Sequence, residues 1–181
     1  MGHVTGLLPG QRVLTAFGYR ALTDLEVGDA VVSGHGRLRL VVRTGSRTLG
    51  GPLYRLVTEG DHVLRVGPDQ PVLGRRDDEP PRWWPARDLR PRDAVATLGG
   101  TSRARDWERR PPRPDGDGSL VLHEERTLYA ASLDWVPLVA VDAAPYAGRV
   151  CGLEVEDDRN CVVEGVVVTA CLPTAPGRRG E

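Results

Sequence analysis

Few residues in this 181-residue chain could carry nucleophilic or acid–base chemistry. Three cysteines, Cys151, Cys161 and Cys171, stand near the C-terminal end. A thiol becomes a nucleophile when a cation, an imidazole or a helix N-terminus lowers its pKa. His35, His62 and His123 are candidates for that role, but their spacing places none of them beside a cysteine. No C-x-x-C or H-x-x-x-H spacing is present, so no metal site and no cofactor is expected. Cys151 and Cys161 read as small buried hydrophobes. His62 follows Asp61 and His123 precedes Glu124-Glu125, the setting of solvated surface residues. Trp83-Trp84, beside Pro80-Pro81, reads either as a recognition platform or, preferably, as cover for one side of a core.

The elements that would position these groups are strands. Arg12–Thr15, Ala30–Ser33, 38–43, 53–57 and Val63–Val66 alternate or are rich in valine and leucine. Pro9-Gly10, Gly34 to Gly36, Gly50-Gly51 and Gly67-Pro68 punctuate them, which predicts an all-β fold of short strands and turns. From Gly99 to Ser119 the chain is rich in Gly, Pro and Arg with little to bury apart from Trp107, and reads as a flexible surface loop. Strand character returns at 135–141. Residues 150–156 and 160–168 read as a hairpin turning at Asp157-Asp158, in which residue 154 would face residue 161 and the first two cysteines would not be partners. The Pro- and Gly-rich stretch 172–181 reads as a fraying tail.

Composition narrows the function. The formal net charge is −1, so there is no overall basic field for nucleic acid or an anionic membrane. Acidic residues dilute the Arg-rich loop as well. The chain contains no Lys and no Ile, which fits a GC-rich bacterial coding bias and makes Arg the default cation. No run is long enough to span a bilayer, and Met1 to Gly10 lacks the pattern of a secretory leader. A cytoplasmic protein with reduced thiols is the expectation.

Three separated blocks carry a resemblance. Leu7 to Ser33 (LLPGQRVLTAFGYRALTDLEVGDAVVS) resembles the N-terminal block of the Hint family, which includes inteins and hedgehog autoprocessing domains. In it the D-L-x-V-G-D element has Leu25 and Val27 as apolar positions, and Gly28-Asp29 makes the turn into the next strand. Tyr54 to Leu73 resembles the block in which inteins carry T-x-x-H, followed by a second L-x-x-G-D-like turn at Trp84 to Ala96. Val150 to Cys171 resembles the C-terminal blocks, which end in His-Asn and a nucleophile. The order and spacing imply one Hint/intein-like, horseshoe-shaped, pseudo-symmetric β-domain over residues 1–171, with both chain ends brought together.

The resemblance also implies which groups splicing would need, and most are absent. The N-terminal nucleophile position is Leu7. The Thr and His of the second block are Gly67 and Gln70. The frequent Asp and His of the third block are Gly152 and Arg159. The penultimate His is Thr169 and the terminal Asn is Ala170. Only the acceptor position, Cys171, keeps a suitable group. The expectation is a catalytically inactive Hint domain serving as a stand-alone binding or accessory module, its former junction cleft holding a protein or peptide. Two alternatives stay open: thiol chemistry through Cys171, as self-cleavage or acyl transfer, and a decayed intein remnant.

Overall fold

Valine and threonine supply the stiff, β-branched side chains that suit a pleated surface, and the described part of the chain is built from strands. The structure is a computed structural model, and it describes residues 3–98 and 133–174. The strands are β1 (Arg12–Thr15), β2 (Gly18–Ala21), β3 (Ala30–Val32), β4 (Leu38–Thr58), β5 (Val63–Val66), β6 (Pro71–Arg75), β7 (Arg82–Pro85), β8 (Ala94–Leu98), β9 (Leu133–Val155), β10 (Asn160–Val163) and β11 (Val166–Thr169). Two short 3-10 turns, Leu22–Asp24 and Ala86–Asp88, precede β3 and β8. All pairings are antiparallel, in the order β10-β1-β3-β4-β9-β8-β11-β6-β7, with β2 on β1 and β5 on β4. A further pairing of β10 with β11 joins one end of that path to the strands near the other, so the sheet curls back on itself.

Two halves of the chain repeat one design. In each, a 3-10 turn hands over to a leucine, Leu25 or Leu89, whose backbone N–H bonds back to Leu22 or Ala86. An aspartate then closes the loop: Asp29 accepts from the backbone N–H of Glu26 at 2.8 Å, and Asp93 from that of Arg90 at 2.8 Å. An arginine pairs with each carboxylate, Arg20 with Asp29 and Arg76 with Asp93. The residue before each aspartate has positive φ, 96° at Gly28 and 79° at Arg92. Strands β4 and β9 play the same part in the two halves: Val41 N–H bonds to Asp29, and Leu138 N–H to Asp93. This is the pseudo-symmetry that the resemblance implied.

The main core gathers Leu7, Val13, Leu22, Leu25, Leu56, Leu89 and their neighbours between the halves. A second cluster of Leu14, Val32, Ala96, Val162 and Val167 lies on the other side of β10 and β11. Those two strands are therefore buried on both faces, and for that reason they read as an unbroken valine run with no alternation.

Four local expectations are corrected. Residues 38–43 and 53–57 are not separate strands but the two ends of β4, because β9 supplies a backbone partner along nearly its whole length, through Gly50-Gly51. Likewise 135–141 and all but the last residue of 150–156 fall on β9. The hairpin is not made about Asp157-Asp158. Residue 154 faces Arg43 instead, and the true hairpin is β10–β11, turning at Glu164-Gly165 with φ of 47° and 84°, the left-handed pair that a two-residue hairpin turn demands. Val27 is 65% exposed, since the turn at Gly28 aims it outward while Leu25 alone enters the core. The loop 99–119, Trp107 and His123 lie outside the described residues.

Candidate functional site

The fold lays the start of the domain beside its end. Leu7 is 3% exposed and exchanges both backbone hydrogen bonds with Cys151 on β9, at 2.8 Å each way. Its side chain packs in the main core with Cys151, Val66, Val168 and Ala170. The Gly6–Leu7 peptide, at the N-terminal junction position, thus has its N–H on the Cys151 carbonyl, and its C=O accepts from Gly67 N–H at 2.8 Å.

Gln70 joins this peptide to the other junction. Its side chain is 1% exposed. Oε1 accepts from Gly6 N–H at 3.2 Å, and Nε2 donates to the Thr169 carbonyl at 2.9 Å. One end of the amide must accept and the other must donate, so the two backbone partners fix its orientation. The Cys171 thiol also reaches Oε1, at 3.7 Å. Ala170 N–H bonds to the Arg159 carbonyl at 2.9 Å, where Arg159 sits in a left-handed turn with φ of 52°. The structure therefore brings Leu7, Gly67, Gln70, Thr169, Ala170 and Cys171 together. Arg159 contributes backbone only.

Two glycines leave room that the flanks occupy. A Cβ at Gly67 would stand 2.8 Å from the Val4 carbonyl oxygen, and one at Gly152 would stand 2.2 Å from the Cys171 carbonyl oxygen. The flanks then grip each other. Thr5 Oγ1 donates to the Leu172 carbonyl at 3.1 Å and accepts from Thr174 N–H at 3.2 Å. Thr174 Oγ1 donates to the His3 carbonyl at 2.6 Å and accepts from Thr5 N–H at 3.3 Å. Asp69 accepts from Val4 N–H at 2.6 Å, returns its own N–H to the Val4 carbonyl at 2.9 Å, and is ion-paired with Arg87. Sequence reasoning missed Thr5, Asp69, Arg87 and Thr174. The only signal was that a threonine stands a short step outside each junction. The tail read as fraying begins with Leu172 against Gly45 and Thr174 in this clasp, and residues 175–181 lie outside the described residues.

Burial pushes the Cys171 thiol above its ordinary pKa. Hydrogen bonding with Thr5 and Gln70 pulls it back only in part, and the negative charge of Glu154 adds to the rise. The candidate histidines are placed elsewhere. His62 packs over Gly165, and His35 stands 3.6 Å from Asp158. Cys161, fully buried on β10, is pushed up to about 12 by desolvation, and Cys151 is raised for the same reason. All three thiols are free. Among the described residues no group of three or more His, Cys, Asp or Glu is placed to hold a metal, and no helix is long and apolar enough to cross a membrane. The tryptophan pair splits between its two readings. Trp84 is buried, with the Arg76 and Arg82 guanidinium groups 4.3 and 3.6 Å from its ring centre, while Trp83 is 43% exposed.

No protein-family model matches the chain, and no curated protein matches it. Solved structures do. The DnaB intein from Synechocystis sp. PCC 6803 is similar with a TM-score of 0.65 at 14% identity, over 93% of this chain and 99% of that one. The PabCDC21-1 intein is similar at 0.64 and 14%, over 92% and 98%. A bacterial intein-like domain from Clostridium thermocellum gives 0.61 and 16%, over 93% and 97%.

Proposed function

From the Hint, intein-like fold of this chain as a premise, we propose that the domain does not splice and acts as a stand-alone binding or accessory module that keeps both junction peptides intact. The observation that carries this reading is the buried Gln70 amide, spanning from Gly6 N–H to the Thr169 carbonyl. Cleavage before Leu7 needs a nucleophile to attack the Gly6 carbonyl and an acid to protonate the departing Leu7 nitrogen. Leu7 offers a hydrocarbon side chain packed in the core. Gln70 neither gains nor loses a proton at neutral pH, and its amide is spent on Gly6 N–H and the Thr169 carbonyl, while the Leu7 nitrogen is bonded to the Cys151 carbonyl. Cleavage after position 170 by side-chain cyclisation needs an amide there, and Ala170 has none. Gly67 N–H does point at the Gly6 carbonyl oxygen, as an oxyanion donor would. With no nucleophile beside it, that bond serves the intact peptide.

Thiol chemistry through Cys171 is the second reading, favoured by the 3.7 Å contact of its sulfur with Gln70. The raised thiol pKa and the adjacent carboxylate of Glu154 weigh against it, since only the thiolate attacks. A decayed remnant fits poorly with a Gln70 amide bonded at both ends and flanks seated in the space at Gly67 and Gly152.

The test is the intact mass of the purified chain after long incubation, with and without dithiothreitol, beside Cys171→Ala. An unchanged full-length mass in every arm is expected. A thiol-dependent fragment or adduct that vanishes in Cys171→Ala would overturn the reading and make Cys171 an active nucleophile.

A further inference from the structure

We propose that a pocket apart from the junctions binds a small zwitterion with an apolar body, a ligand of the class of free apolar amino acids. The pocket has a volume of about 650 Å³, in the ordinary range for a small-molecule site, and Leu7, Gln70 and Cys171 do not line it. The proposal therefore goes beyond the reading of the junctions and does not depend on it.

Two opposite charges face this pocket uncommitted. Arg65 on β5 lies directly opposite Arg55 on β4, and Arg55 lies opposite Asp142 on β9. Like charges set side by side across strands repel. Asp142 takes Arg55, at 3.1 Å, and the Arg65 guanidinium has no partner among the described residues. Asp61, in the turn between β4 and β5, lines the same pocket, and its carboxylate is likewise without a partner among the described residues. Glu164 also lines it but is spent on Arg12, accepting the backbone N–H at 2.7 Å and pairing with the guanidinium at 3.3 Å. A carboxylate offered to Arg65 together with an ammonium offered to Asp61 satisfies both groups by charge-assisted hydrogen bonds. A lone anion or a lone cation satisfies one and meets the other as a like charge.

The rest of the lining agrees. Leu8, Pro9 and Val63 supply apolar surface for the body of the ligand. His62 is set in place by two glycines: a Cβ at Gly165 would stand 2.5 Å from its Nδ1 and Cε1, and one at Gly60 would stand 3.5 Å from its Cδ2. Neither ring nitrogen has a partner among the described residues, so the imidazole is free to donate to the ligand carboxylate.

The strand edge beside the pocket is closed to an added peptide strand. Cys151 turns its N–H and C=O toward Leu7, and in an unbroken ladder Arg149, Ala147 and Pro145 turn theirs the same way. Pro145 has no N–H to offer. Tyr146 lies over Gly148 and donates its hydroxyl to the Arg149 carbonyl at 2.9 Å. The edge is blunted where Tyr146 lines the pocket, which favours a compact ligand over an extended one.

Titration of the isotope-labelled full chain with L-phenylalanine, followed through the amide resonances, tests this. Phenylacetate, which lacks the ammonium, and phenethylamine, which lacks the carboxylate, are the comparison ligands. L-Phenylalanine is expected to give saturable shifts at Val63, Arg65 and Tyr146, and each comparison ligand to bind about tenfold more weakly or less. Arg65→Gln and Asp61→Asn should each weaken L-phenylalanine by about the same factor, with Asp61→Asn leaving phenylacetate undiminished. Both side chains are exposed, and asparagine tolerates the φ of 63° at position 61, so amide shifts in β1 and β10 should stay in place. No saturable shift with L-phenylalanine, a comparison ligand that binds as tightly, or undiminished affinity in either variant would overturn the proposal.

Discussion

Gln70 concentrates the chemistry of the junction into one side chain. Replacing it with leucine leaves Gly6 N–H and the Thr169 carbonyl buried without partners, and should cost about 1–3 kcal/mol for each group left unpaired. Urea denaturation measures it. Gln70→His is more discriminating. A neutral imidazole can accept at one nitrogen and donate from the other, so stability near pH 8 should stay close to that of the natural chain. Protonation turns both nitrogens into donors and forfeits the bond from Gly6, so the variant should lose stability toward pH 5 where the natural chain does not. A variant equally stable at both pH values would contradict the hydrogen-bond assignment. At Cys171 the raised pKa sets a second expectation. Alkylation at pH 7 should be slower than that of the same thiol in urea and should accelerate only above the ordinary thiol range of about 8.5. The identities at these positions were legible in the sequence. Their contacts were not, because nothing in the spacing of Thr5 and Thr174 says that two residues so far apart in the chain exchange hydrogen bonds.

At the scale of elements, the strands that matched their sequence signals are the short ones bounded by real turns: Arg12–Thr15 and Val63–Val66 were legible to the residue. The long strands were not, since Gly50-Gly51-Pro52 reads as a turn unless a partner runs beside it, and only the fold shows that β9 does. The β10–β11 turn was visible as Glu-Gly inside a valine run and was overlooked in favour of Asp157-Asp158. That turn is testable. Gly165 has φ of +84°, and a Cβ there would meet the His62 ring at 2.5 Å. Gly165→Ala should destabilise the domain by about 1–2 kcal/mol from backbone strain, plus the clash. His62→Ala in that background should restore the clash portion and leave the strain. No recovery on removing His62 would place the ring elsewhere. Two buried carboxylates carry a pH dependence. Burial works to raise the carboxyls of Asp93 and Asp158, but Arg76 with Arg90 at the first, and Ser33 with Arg39 at the second, hold both below the ordinary value. A folded pKa below the unfolded one gives stability that is present above about pH 4 and is lost as pH falls through the folded value. Urea midpoints should therefore drop on acidification below about pH 4, and less steeply in Asp158→Asn, with unaltered steepness counting against the pairing.

The molecule as a whole is two similar halves closed on each other. The sequence shows it in Gln11-x-Val13-Leu14 against Gln70-x-Val72-Leu73, and in the Asp-Leu and Asp-Ala steps at 24–30 and 88–94. In that duplication glutamine at position 70 is the counterpart of Gln11. It is the residue that the other half uses, at Gln11, to hold a strand by its backbone. The fold brings two flanks together, and the side chains of Thr5, Asp69, Gln70 and Thr174 bond to them. The measurement that bears most directly on this is to set the whole chain between two reporter domains of different mass, incubate at neutral pH with and without reductant, and weigh the products. One unbroken fusion in every condition is what the Gln70 clasp requires. Two reporters joined through residues 1–6 and 171–181, with residues 7–170 cut out, would contradict it.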